Sequence, residues 1–168
     1  MKMLIPWYGV LFIAYVLQSS LLTAVAYNGI TVDLVILTAA FLSILYSRQA
    51  MLYGFSAGLF QDLASGTFLG MNAFILMCAA VVLSWLSQRF YKENIFLPLA
   101  AAIFVTIMDY VMTALMIVLL GYSLNGWLVI NNMLAALIYN IVFAYPVYFA
   151  VIKIDSALQR FFKSTSRI

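Results

Sequence analysis

The chain has 168 residues, the length of a single domain, but 67% of them are hydrophobic and only 8% charged, with a mean hydropathy of +1.12. Soluble domains are about half apolar and about a quarter charged, so this composition excludes a water-compatible surface and places the chain in a bilayer. A lone Cys78 excludes an internal disulfide, and the lack of histidine excludes His-based metal sites, Ser-His and Cys-His nucleophile pairs and the usual general base.

Six apolar segments follow one another along the chain: 4–26, 32–46, 50–64, 69–87, 95–120 and 128–152. A helix crossing perpendicular to the membrane needs about 20 residues. The first segment and the last three reach or approach that. The first is not a typical cleavable signal peptide, because a single Lys2 precedes it and Val25-Ala26-Tyr27 is a poor cleavage site. The second begins at Asp33, which is expected to cap that helix. The second and third are short and separated only by Ser47-Arg48-Gln49. They form either a tight hairpin of short helices or a hairpin that fails to cross fully.

The third segment and the turn after it concentrate polar and small residues. Gly54 and Gly58 share one helix face, where small residues let two helix backbones approach. That contact is either with a helix of the same chain or with a partner helix. Asp62 falls in the last turn, where the helix dipole disfavours an anion. It therefore needs outside water, Asn72, or the backbone N–H groups that open the next helix. Ser65-Gly66-Thr67 is predicted as the turn, with Ser65 or Thr67 capping the fourth helix.

Asp109 lies near the middle of the fifth segment, where an acid costs about 2.5–3.5 kcal/mol and must face the protein interior. Asn140 lies near the middle of the sixth, at a depth within roughly 3 Å of Asp109. The two form either a polar clamp across the hairpin or an ion or partner site. Pro146 removes a backbone donor and is expected to kink the last helix, freeing a carbonyl near Val142. The tail, 153–168, is amphipathic if helical. Ile154, Leu158, Phe161 and Phe162 fall on one face; Lys153, Arg160, Lys163 and Arg167 fall on the other. Such a helix is expected either at an anionic lipid surface or docked on a cytoplasmic partner.

Charge sets the topology. Lys2, Arg48, Arg89, Lys92 and the tail's Lys153, Arg160, Lys163 and Arg167 all fall on one side of a six-span arrangement. The opposite loops, 27–31, 65–68 and 121–127, contain no Lys or Arg. By the positive-inside rule both termini are cytoplasmic, and a five-span arrangement would put Arg48 or the tail on the wrong side. This distribution assigns the net charge of +3 to the membrane surface and not to nucleic acid.

The pattern Gly54, Gly58, Leu59, Asp62, Gly66, Gly70 and Asn72 resembles that of the rod-shape-determining MreD family. Asp33-Leu34-Val35-Ile36-Leu37 is similar to the family's opening of the second span, with Val32 in place of the usual proline. Asp109, and Asn140 with Pro146 six residues on, also match. The resemblance implies a non-catalytic, cofactor-free subunit of the bacterial cell-elongation machinery in the cytoplasmic membrane. Its implied partners are MreC, the actin-like MreB, and the polymerase RodA with its penicillin-binding transpeptidase. It also implies an all-α six-helix bundle like the substrate-binding subunits of energy-coupling-factor vitamin transporters.

Two other functions compete. A transporter subunit of that kind commonly docks through Ala-x3-Ala on its first helix, and this chain contains no such spacing. An intramembrane aspartyl protease needs two carboxylates sharing a water. Asp62 and Asp109 are expected to differ by roughly 16 Å in depth, which is too far for that chemistry.

Overall fold

Without water to satisfy backbone N–H and C=O groups, a chain this apolar is confined to helices or a closed barrel. The computed structural model describes residues 4–20, 30–66, 68–89 and 96–165, and among these it is helical with no β-strand. The helices are α1 (Leu4–Ser20), α2 (Leu34–Leu45), α3 (Ala50–Ser65), α4 (Met71–Arg89), α5 (Leu97–Leu119) and α6 (Gly126–Thr165). A short 3-10 turn, Ser47–Gln49, joins α2 to α3. Met71–Arg89, Leu97–Leu119 and Gly126–Phe161 are long and apolar enough to cross a membrane, and Leu34–Leu45 is a shorter apolar helix. The predicted end of the first segment, at 26, lies outside the described residues.

Contacts between helices show how they alternate. The α3 glycines meet the α4 backbone in antiparallel register, Gly54 against Leu76 and Ala80, and Gly58 against Asn72 and Ala73. Along α2 and α6 the paired residues rise together: Asp33 with Asn140, Phe41 with Tyr148, and Tyr46 with Asp155. These two helices are therefore parallel. So are α1 and α3, because Phe12 and Tyr15 stack edge-on against Phe60 at 6.0 and 5.4 Å while Tyr15 reaches the Ala64 carbonyl. At one end Phe68 and Tyr122 from two turns stand 6.2 Å apart. At the other end Arg48 follows α2, Arg89 closes α4, and Lys153 and Arg160 lie in the last third of α6; all four are exposed.

The centre belongs to α2, where every residue from Val35 to Ile44 is buried. A helix that is apolar all round is one enclosed on all sides. On α5, by contrast, Ile103, Ile107, Val111 and Leu115 form an exposed i, i+4 stripe, the pattern of a face turned to acyl chains.

The last helix departs from expectation. It does not end near 152 but runs 40 residues to Thr165, about 60 Å, roughly twice the thickness of the hydrocarbon core. The predicted tail is its continuation.

Candidate functional site

α2 has only 12 residues, about 18 Å, shorter than a core of about 30 Å, and its N-terminus opens inside the bundle. The non-helical stretch 31–33 leads into it. Irregular backbone at such depth persists only where protein groups or a wet cavity satisfy it. Here four helices supply those groups. Asp33 caps α2, its Oδ1 accepting the Ile36 N–H at 3.0 Å, and Gln61 Nε2 donates to both Asp33 oxygens at 3.1 and 3.0 Å. The Asp33 N–H donates to Asn140 Oδ1 at 3.0 Å, and the Val35 N–H to Gln18 Oε1 at 3.3 Å. Asn140 Nδ2 in turn donates to Thr106 Oγ1 at 2.8 Å, and that hydroxyl donates to the Ala102 carbonyl at 2.7 Å.

A cavity of about 450 Å³ adjoins this network, and Asp33, Asn72, Thr106, Asp109, Tyr110, Thr113 and Asn140 are among its walls. Asp109 and Asn140 thus share the cavity, but they are not bonded to each other. The clamp expected between them is replaced by Asn140 bridging Thr106 and the Asp33 backbone, which uses both ends of its amide. Asp109 has no hydrogen-bond partner among the described residues.

A second polar arrangement closes the α3–α4 turn. The buried Asp62 carboxylate accepts three backbone N–H bonds, from Gly70 at 2.8 Å, Asn72 at 3.1 Å and Ala73 at 3.1 Å. The anion that the end of α3 disfavours is thereby held by the donors opening α4. Gly66 terminates α3 in the left-handed region at φ 64°, and Gly70 turns at φ 95°, conformations that few other residues tolerate. The Ser65 hydroxyl donates back to the Gln61 carbonyl at 2.8 Å, and Asp62 takes the Asn72 and Ala73 N–H groups that open α4. Thr67 lies outside the described residues. The small faces of Gly54 and Gly58 are spent within the chain. A Cβ at 54 would stand 2.6 Å from Ala80 Cβ, and one at 58 would stand 2.5 Å from Ala73 Cα.

The family model of the rod shape-determining protein MreD matches residues 1–155 of the chain. The chain belongs to the MreD family. It is a rod-shape-determining, multi-pass membrane protein. No curated protein and no solved structure matches it.

In this MreD protein α6 continues as helix through Pro146. The residue after Ile152 that matters most is Asp155, whose carboxylate accepts a hydrogen bond from the Tyr46 hydroxyl and another from Gln159 Nε2 at 2.8 Å. Ile154 and Leu158 pack on the bundle core. Half of the apolar face expected to meet lipid therefore docks on the protein itself, while Phe161 stays exposed beside Lys153 and Arg160. Lys163 is in α6 but its side chain, like Arg167, lies outside what is described. Gln18, Gln61 and Thr106 were not singled out from the sequence. Their signal was present, since a glutamine inside an apolar span is costly unless bonded.

Proposed function

We propose that this MreD protein is the six-span subunit of the bacterial elongation complex that binds MreC in the cytoplasmic membrane and helps organise peptidoglycan synthesis. The match over residues 1–155 carries this reading, because it takes in all five turns between helices and most of α6. The architecture supports a holding role. Asp33 and Asp62 serve helix ends, and Gly54 and Gly58 lock α3 to α4. The clustering of Arg48, Arg89, Lys153 and Arg160 at one end supports cytoplasmic termini. That basic end suits anionic lipid, and it is also the end that faces MreB. RodA and its transpeptidase are reached through the same complex.

The test is rescue combined with capture. A tagged copy should restore rod shape to cells depleted of the protein, and in mild detergent it should bring down MreC. Restored rods with no MreC in the purified complex would overturn the partner assignment.

A further inference from the structure

Asp33 and Asp109 face one cavity but are provided for differently. Both oxygens of Asp33 are taken by the Ile36 N–H and the Gln61 amide. Asp109 is left without a hydrogen-bond partner among the described residues, and it sits in the field of the Asp33 carboxylate. It lies ten residues below the outer end of α5, about 15 Å down the helix. Among the described residues no Lys or Arg stands in the cavity wall. An intramembrane acid is either held neutral or paired with another group, and the partner of an ionised Asp109 is a cation.

The surroundings narrow what that charge is. Tyr110 and Thr113 follow Asp109 by one and four residues and line the same space, offering hydroxyl oxygens. A bare divalent ion would need six or more oxygens closely arranged. Asp33 already accepts three hydrogen bonds, and the described residues hold no cluster of three or more His, Cys, Asp or Glu. An ammonium group needs only three acceptors, and about 450 Å³ falls within the range of small-molecule pockets, with room for a carbon skeleton. We propose that this cavity binds a primary ammonium group, with Asp109 as its charge partner and Thr113 as a neighbouring acceptor. The site goes beyond the elongation-complex reading and does not depend on it. The ammonium arrives either on a free amine or on an ethanolamine lipid headgroup.

The probe is ethanolammonium chloride, with sodium and tetramethylammonium chlorides as controls at equal ionic strength. Thermal unfolding of the purified full chain in a detergent free of amino lipids should shift upward with ethanolammonium, saturably and by several degrees. The controls, which have no N–H donors, should not reproduce the shift. Asp109→Asn should abolish it. Thr113→Val should raise the half-saturating concentration several-fold with little effect on the unliganded Tm, so the proposal stays testable if Asp109→Asn fails to fold. In nanodiscs, replacing phosphatidylcholine by phosphatidylethanolamine should raise Tm and remove the response to added ethanolammonium if the lipid is the source. If a free amine is the source, the response should persist. An equal shift with sodium, an Asp109→Asn response like that of the parent chain, or an unchanged half-saturation in Thr113→Val would overturn the proposal.

Discussion

Gly58 shows how much can rest on one missing methyl group. A Cβ there would press on backbone atoms of Asn72 and Ala73, which cannot rotate away as a side chain can. Gly58→Leu should therefore push α3 off α4, at a cost of about 1–3 kcal/mol or more from overpacking. Ser56→Ala should be mild, because the Ser56 hydroxyl bonds only its own helix, at the Tyr53 carbonyl. Thermal unfolding of the two variants checks the contrast, and a Gly58→Leu protein as stable as Ser56→Ala would refute it. The same contact turns Asp62 toward the start of α4, where one carboxylate satisfies three donors. Asp109 behaves otherwise. Its removal leaves both bonds of Asn140 in place, so it is dispensable to the network that it faces.

Two helices depart from the length of a simple crossing, and each departure has a consequence. α2 is too short, so its first turn opens among the other helices and is satisfied by Gln18, Gln61 and Asn140. α6 is too long, and its extension is tied back to the bundle by Asp155 and Tyr46. Tyr53 stacks near Tyr46, ring centres 5.7 Å apart, and is fully buried behind it. Tyr46→Phe keeps the ring packing and removes only the hydroxyl. It should loosen the α6 extension without unfolding the membrane bundle. Amide hydrogen exchange over residues 153–160 is expected to speed up several-fold while α2 stays protected. Unchanged exchange in that segment would show that Ile154 and Leu158 hold the extension by packing alone.

At the scale of the molecule, alternating helices bring Arg48, Arg89, Lys153 and Arg160 to one end and the Phe68–Tyr122 contact to the other. The positive-inside rule then predicts that Asn125 faces outward and Arg48 inward. Single cysteines at these positions in a Cys78→Ala background should separate cleanly. The residue-125 thiol should react with an impermeant reagent on intact cells, and the residue-48 thiol only after permeabilisation. External labelling at 48 would exclude the six-span arrangement.

Helix positions and membrane class were legible in the sequence because both depend on local composition. A run of apolar residues must satisfy its own backbone in lipid wherever its neighbours lie. The close approach at Gly54 and Gly58 was legible for the same reason, since spacing along one helix defines one face, though not whether the helix it meets belongs to the same chain. Pairing across helices was not. Depth along the bundle brought Asp109 level with Asn140, but rotation about the α5 axis decides which side chain meets the amide, and Thr106, about one turn away, is the one that does. The tail is a second case. Its amphipathic face was plain in the sequence, but only the parallel packing of α6 on α2 put Tyr46 beside Asp155 and turned Ile154 and Leu158 inward. Hydrophobicity tells a helix that it must be covered, and only its neighbours determine whether lipid or protein does the covering.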